Sequence, residues 1–158
     1  EERWRVVTGA PVADGPAVAG GRIVVGNAAG QVIALDQQNG RTDWRSRSAG
    51  AISAAPAITN STVFIGNRGG TFDALDLASG TRRWQFDADG PILGSATIVG
   101  QNVYFSAGQA SLTRVVGLRI GDGARAWRRP GGTRTAVVAA GRTLFVNTTR
   151  ELQAYRAP

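Results

Sequence analysis

The sequence predicts an all-β fold, a β-propeller made of four-stranded antiparallel blades, on three observations. Four tryptophans, Trp4, Trp44, Trp84 and Trp127, recur at intervals of 40, 40 and 43 residues. Between them lie short runs of β-branched and aromatic residues bounded by Gly, Asn or Ser, and none is long enough for a helix. A period near forty with four strands per repeat is typical of a propeller blade, which buries its apolar faces against its neighbours.

The second repeat shows the four predicted strands of a blade most clearly. They cover residues 55–59, 62–65, 71–75 and 82–86. The first strand consists of small residues, as expected where blades converge near the axis, and the second and third supply the large apolar residues of the core. The fourth strand contains the tryptophan and is expected to lie outermost.

A glycine stands four residues before each of the last three tryptophans. These glycines are Gly40, Gly80 and Gly123. We expect each one in the turn between the third and fourth strands, where a positive φ is cheap only for glycine. The repeated tryptophans and glycines are therefore predicted to have structural roles.

The two ends of the chain predict how the ring closes. Residues 3–7 form a predicted Trp-bearing strand with no first three strands before it, and the fourth repeat lacks its Trp strand. If residues 3–7 pair with residues 151–156, they complete the last blade. The expected single domain, residues 1–158, then has blades at 13–47, 53–87, 93–129, and 134–157 together with 3–8.

This closure has two possible forms, and the sequence leaves both open. Four blades can close within one chain, or two chains can form an eight-bladed ring as a homodimer by exchanging the Trp4 strand. The dimeric ring is slightly favoured, because residues outside the third repeat show no adjustment to a tighter circle.

Residues 34–44 and 74–84 share one pattern. Both read Ala-Leu-Asp with Asp36 or Asp76 in the acidic position, then glycine four residues later and tryptophan four residues after that. The pattern resembles the tryptophan-docking repeat, A-x-D-x-x-[ST]-G-x-x-x-W, of pyrroloquinoline-quinone (PQQ) β-propellers. It departs from that repeat at Asn39, Arg119 and Gly121. The resemblance implies that each tryptophan docks against the neighbouring blade, and that closed rings usually have seven or eight blades.

Missing residue types exclude most enzyme classes. The chain has no Cys, His, Met or Lys, so its 18 basic residues are all arginine. This excludes thiol nucleophiles, Ser-His-Asp triads, ordinary zinc or haem ligation and Schiff-base chemistry. The resemblance implies that PQQ dehydrogenases need calcium, an Asp base and commonly a vicinal disulfide, yet the 11 acidic residues form no dense cluster. We therefore predict no catalytic residue, no metal site and no cofactor.

The net charge of +7 has two interpretations. One is an anionic partner, such as an acidic polymer or a phospholipid surface. The favoured one is protection of exposed edges, because Arg5, Arg45 and Arg128 each follow a tryptophan on a predicted outermost strand. The aromatic residues fall at core positions rather than in a stacking display, so we expect no specific nucleic-acid partner.

The loops supply the candidate binding residues. In an antiparallel blade, the turn between strands two and three and the connection to the next blade lie on one face. The irregular segments of this chain gather on that face, where binding sites on regular scaffolds usually lie. The candidate contact residues are Arg68, Asp89, Arg114, Arg134 and Arg150.

We therefore expect a non-catalytic module that binds a protein or peptide, or an anionic ligand. The resemblance implies relatives among outer-membrane-assembly lipoproteins and the sensor regions of bacterial Ser/Thr kinases. It favours an extracytoplasmic (periplasmic or cell-surface) sensor or scaffold of a larger bacterial protein such as a kinase. The alternatives are an outer-membrane-assembly scaffold domain and a fragment of a PQQ-dependent dehydrogenase. No apolar run approaches the roughly 18 residues that span a bilayer, and the missing initiator Met favours a domain of a longer protein.

Overall fold

The computed structural model describes residues 1–109, 112–131, 136–148 and 150–157. These residues form fifteen β-strands and no α-helix. The strands make four antiparallel sheets, each of which is one blade. The predicted all-β propeller with four blades per chain is therefore confirmed.

Strands follow one another from the innermost to the outermost position of each blade. Blade 1 consists of β1 (Ala17–Ala19), β2 (Arg22–Gly26), β3 (Gln31–Asp36) and β4 (Thr42–Arg47). Blade 2 consists of β5 (Ala57–Ile58), β6 (Thr62–Gly66), β7 (Thr71–Asp76) and β8 (Arg82–Asp87). Blade 3 consists of β9 (Thr97–Val99), β10 (Asn102–Ala107), β11 (Arg114–Arg119) and β12 (Arg125–Pro130). Blade 4 consists of β13 (Val138–Ala140), β14 (Thr143–Asn147) and β15 (Leu152–Arg156).

A bulge recurs where the third and fourth strands pair. In blade 1, Trp44 lies opposite Ala34 while Thr42 lies opposite Leu35, so Asp43 has no partner across the ladder. Blades 2 and 3 show the same shift just before their tryptophans. A bulge bends its strand and re-aims the neighbouring side chain, and here it accompanies an indole that reaches the next blade.

Each docked indole covers the glycine turn of the blade that follows. A Cβ added to Gly40, Gly80 or Gly123 would come within 2.7 Å, 2.5 Å and 2.7 Å of Trp4, Trp44 and Trp84, respectively. The three glycines have φ values of 72°, 73° and 71°. The indole Nε1 groups donate hydrogen bonds to the carbonyls of Gln37, Leu77 and Ile120. Glycine is therefore required both for its backbone conformation and for the close approach of the ring.

The repeated aspartate organises the same turn. Asp76 Oδ1 accepts hydrogen bonds from the amides of Ala78 and Ser79 at 3.0 and 2.9 Å, and Asp36 does the same in blade 1. Asn39 replaces the usual Ser or Thr and still stabilises the turn, because its Oδ1 accepts a hydrogen bond from the Arg41 amide at 2.9 Å. In blade 3, where Arg119 stands in place of aspartate, Asp122 caps the turn and pairs with Arg119 at 2.6 Å.

Apolar side chains fill the spaces between consecutive blades. Val24 and Val32 of blade 1 share a buried cluster with Ile65 of blade 2, and Phe72 of blade 2 stacks on Phe105 of blade 3 with ring centroids 4.0 Å apart. A third cluster joins blades 3 and 4. Within the described part of the chain, no such cluster joins blade 4 to blade 1.

The N-terminal segment, residues 3–7, corrects one part of the prediction. It is not a strand in the isolated chain, and blade 4 has three strands rather than four. The segment instead lies against blade 1, because Trp4 is docked on Gly40 and Val6 packs on the apolar cluster of that blade. In the described residues, the segment therefore docks on blade 1 and is not paired with β15.

Candidate functional site

The predicted binding face, here called the loop face, consists of the turns between second and third strands and the connections between blades. Hydrogen bonds hold the connection between blades 1 and 2 between the two neighbouring turns. The carbonyl of Asn27 accepts from the Ile52 amide at 3.1 Å, and the carbonyl of Ala51 accepts from the Arg68 amide at 2.9 Å. This part of the loop face is thus held in place by backbone pairing.

Two buried asparagines shape the turns of this face from within. Asn27 is fully buried, and its Oδ1 accepts hydrogen bonds from the amides of Ala29 and Gln31 at 3.1 and 3.0 Å. Asn67 occupies the equivalent position in blade 2, where its Nδ2 donates to Ser48 and Thr71. These asparagines are therefore explained by local structure, as expected of buried polar groups with satisfied hydrogen bonds.

A buried carboxyl lies beneath the loop face between blades 1 and 2. Asp73 is 2% exposed, and its Oδ2 accepts a hydrogen bond from the Ser48 hydroxyl at 2.7 Å. Arg82 lies 3.7 Å from the other carboxyl oxygen. Burial raises the pKa of Asp73, and the Ser48 hydrogen bond and the Arg82 charge oppose that increase only in part.

The structure brings together two of the predicted binding residues, Asp89 and Arg114. Asp89 Oδ2 lies 3.9 Å from Arg114 Nη1 and 2.5 Å from Arg128 Nη2, so one carboxylate is set between two guanidinium groups. Asp89 is well exposed, and each arginine side chain is about one-third exposed. Leu112, which is 67% exposed, lies two residues before Arg114. The result is a net positive cluster beside an exposed aliphatic side chain.

The other predicted binding residues are not part of this cluster. Arg68 is exposed in the β6–β7 turn of blade 2, and Arg150 is exposed in the β14–β15 turn of blade 4. Arg134 lies outside the described residues. The sequence predicts that Arg128 protects the edge of the outermost strand. The structure places Arg128 in the candidate site instead, because its guanidinium group contacts Asp89, 39 residues earlier.

Edge arginines on the outermost strands are exposed, in agreement with a protective role. Arg45 and Arg47 of β4 and Arg82 and Arg83 of β8 face solvent. Arg129 of β12 places its guanidinium carbon 5.6 Å from the centroid of the Trp127 ring. Such a stacked arginine covers the indole while it keeps its charge in water.

Sequence reasoning missed Asp14, which links three blades near the inner strands. Its Oδ2 accepts hydrogen bonds from the Ala55 amide and from the Ser95 hydroxyl, each at 2.9 Å. The hydrogen bond from the Gly15 amide is the main reason that the pKa of Asp14 is lowered, with Ser95 and Ala55 adding to it. The sequence does mark Asp14 as unusual, because the equivalent positions of the next two repeats, 40 and 80 residues later, carry the nonpolar residues Ala54 and Gly94.

A family model of the PQQ type, described as outer membrane protein assembly factor BamB, matches residues 1–150. The chain belongs to this family. Among curated proteins, none matches the sequence significantly. The predicted relationship to PQQ-type propellers is thereby confirmed.

Solved structures of known proteins share the fold of this BamB-family chain. BamB from Moraxella catarrhalis superimposes with a TM-score of 0.84 at 21% identity, over 98% of this chain and 49% of that one. Quinohemoprotein alcohol dehydrogenase from Comamonas testosteroni gives 0.70 at 21% identity, over 78% and 21%. The computationally designed Ika4 protein gives 0.81 at 14% identity, over 94% and 92%. The chain thus spans about half the length of the BamB structure that it matches.

One of these structures is a quinoprotein dehydrogenase, so we asked whether the side chains of this BamB-family chain could hold PQQ and a calcium ion. In the described residues, no group of three or more acidic, His or Cys side chains could hold a metal ion. The acidic side chains of the loop face are already engaged, Asp14 by N–H and hydroxyl donors and Asp89 by guanidinium groups. The donor set therefore does not fit such a cofactor.

The described residues contain no helix with the length and apolar character that crossing a bilayer requires.

Proposed function

We propose that this chain is a non-catalytic, protein-binding module of the BamB family and that its loop face takes an acidic segment of the partner. The observation that carries the proposal is the Asp89 carboxylate held between Arg114 and Arg128. One carboxylate cannot neutralise two guanidinium groups, so a positive charge remains in a fixed position on the surface.

The chemistry of this cluster suits carboxylate groups of a partner. Guanidinium groups present planar pairs of donors that match a carboxylate, and Asp89 holds both of them in place before binding. Leu112 adds an exposed aliphatic contact at the edge of the cluster. An extended peptide that alternates acidic and aliphatic side chains would use both features.

The family match bears on the cellular setting of the proposed function. The matching model is described as an outer membrane protein assembly factor, which favours an extracytoplasmic scaffold of that type over the sensor of a Ser/Thr kinase. An enzymatic role finds no support in the donor set of the described loop face. We therefore place the module outside the cytoplasm, with a protein as its partner.

The experiment measures binding of two labelled ten-residue peptides by fluorescence anisotropy, one alternating Glu and Val and the other alternating Lys and Val. We expect the acidic peptide to bind more tightly and to weaken with added salt, because the contact is electrostatic. Arg114→Glu should weaken it about tenfold or more, which corresponds to the loss of one charge-assisted contact of about 1.4 kcal/mol.

Arg41→Glu provides the matched control, because Arg41 is exposed in the β3–β4 turn on the opposite face. It makes the same change in net charge and should leave peptide binding nearly unchanged. Equal loss in both variants would show that only the overall charge matters. Equal binding of the two peptides by the unmodified chain would contradict the proposal.

A further inference from the structure

We propose that Arg68 is a second contact for the acidic segment, so that the segment runs from the cluster of Asp89, Arg114 and Arg128 across to the β6–β7 turn. The site then selects a partner segment with acidic residues at more than one position. This role rests on the proposed function, since Arg68 adds a specificity-determining contact to the same loop face.

The first observation is that the turn of Arg68 does not require an arginine. The Arg68 amide donates a hydrogen bond to the Ala51 carbonyl at 2.9 Å. In blade 1 the equivalent residue is Ala28, whose amide donates to the Pro11 carbonyl at 2.8 Å. Both blades form the same turn through the backbone, so the Arg68 side chain is not needed to build it.

The second observation is that the positive charge of Arg68 is free. Arg68 is exposed, and among the described residues its side chain has no ion pair and no hydrogen bond. In the same blade, by contrast, Arg83 pairs with Asp76 at 2.6 Å. Because Arg68 is held only through its backbone, its guanidinium group can turn toward a carboxylate of a ligand without breaking an existing contact.

The third observation is that backbone contacts hold the turn of Arg68 against the segment of Asp89. The Ala88 amide donates a hydrogen bond to the Gly70 carbonyl at 2.7 Å. A Cβ added to Gly70 would come within 3.1 Å of the Gly90 carbonyl oxygen. Gly70 follows Arg68 by two residues, while the other two residues flank Asp89. The two charged side chains therefore project from adjacent segments of the loop face.

Asp89 is itself a departure from the repeat. The equivalent residues of the two preceding connections are Gly9 and Ala49, which carry no charge. The Asp89 carboxylate lies 2.5 Å from Arg128 and 3.9 Å from Arg114. Its ion pairs are thus with these two arginines, and Arg68 on the adjacent turn is left without a counter-charge.

An extended segment of a partner can contact both places at once. Side chains at alternate positions of an extended chain point to the same side and lie about 7 Å apart. One carboxylate would bind at Arg114, and another carboxylate on the same side of the segment would bind at Arg68. Arg68 would then select for a further acidic residue in the segment, which one charged contact at the cluster cannot do.

A peptide with a single Glu tests this contact beside the alternating Glu-Val peptide. It has the same ten-residue sequence with one central Glu and with Gln at the other Glu positions. In fluorescence anisotropy, we expect Arg68→Gln to weaken the alternating peptide about threefold, because an exposed ion pair contributes only about 0.7 kcal/mol. The same variant should leave binding of the single-Glu peptide unchanged. Arg68→Lys, which keeps the charge, should retain most of the affinity.

Arg41→Gln is the matched control, because Arg41 is exposed on the opposite face and its loss makes the same change in net charge. Equal losses in Arg68→Gln and Arg41→Gln, or equal losses for the two peptides, would overturn the role of Arg68. No loss in Arg68→Gln, while Arg114→Glu still weakens the alternating peptide, would overturn this role alone. No loss in Arg114→Glu would contradict the proposed function and the role of Arg68 with it.

Discussion

The indole of Trp44 lies so close to Gly80 of the next blade that a Cβ on the glycine would come within 2.5 Å of the ring. The same indole donates a hydrogen bond to the Leu77 carbonyl at 2.9 Å. Trp4 with Gly40 and Trp84 with Gly123 repeat this contact. Docking of an indole on a glycine turn is thus the contact that recurs between consecutive blades.

Gly80→Ala is expected to lower the free energy of unfolding by about 2–4 kcal/mol. The change adds the strain of a positive φ to the overpacking of the Trp44 ring. Urea denaturation at a fixed protein concentration measures the loss. Gly100→Ala is the control, because Gly100 has φ of 59° with nothing within 4 Å of an added Cβ. It should cost only about 1 kcal/mol, and equal losses would contradict the docking account.

Asp76→Asn tests how the Asp76 carboxylate caps the glycine turn, through the pH dependence of the stability that the variant loses. The Arg83 guanidinium and the amide and hydroxyl of Ser79 lower the pKa of Asp76 to about 2. The ionised carboxylate therefore stabilises the fold above its unfolded pKa of 3.8, and this contribution is lost as the pH falls toward 2. The variant should be less stable than the unmodified chain at pH 6, with a smaller difference at pH 2.5. A pH-independent difference in melting temperature would contradict this.

Asp73→Asn should show the opposite pH dependence. Burial raises the pKa of Asp73, so the carboxyl destabilises the fold as it ionises above its unfolded pKa of 3.8. Arg82, Asp87 and the Ser48 hydroxyl are the groups that act on it. The melting temperature of the variant, relative to the unmodified chain, should rise between pH 4 and pH 7. A relative melting temperature that falls over this range would contradict the assignment.

Addition of PQQ with calcium tests the enzymatic alternative. A ligand that binds the folded state raises the melting temperature, and the acidic side chains of the described loop face are already engaged. We therefore expect no increase at saturating quinone and calcium, measured by differential scanning fluorimetry against a calcium-only sample. A quinone-dependent rise would contradict the non-catalytic account.

The repeated features of the fold could be predicted from the sequence. Each tryptophan and its glycine recur at a fixed spacing. A contact that every blade repeats requires the same residues in every repeat, so it can be recognised as a periodic pattern in the sequence. Gly40, Gly80 and Gly123 accordingly lie in the predicted turns with positive φ.

Features that occur in only one blade produce no periodic pattern and could not be predicted in this way. Asp14 joins Ser95, 81 residues later, through a hydrogen bond that no other repeat makes in the described part of the chain. Arg128 reaches Asp89 across the boundary between two blades, which depends on how the blades are set side by side. The three strands of blade 4 could be predicted, because the fourth repeat has no tryptophan after its third strand.

Binding of the two labelled peptides is the most direct measurement of the central claim that Asp89, Arg114 and Arg128 form a binding site for an acidic segment of a partner. The account predicts that the Glu-Val peptide binds more tightly than the Lys-Val peptide, and that Arg114→Glu weakens its binding while Arg41→Glu does not. Equal binding of the two peptides, or equal losses in the two variants, would contradict it.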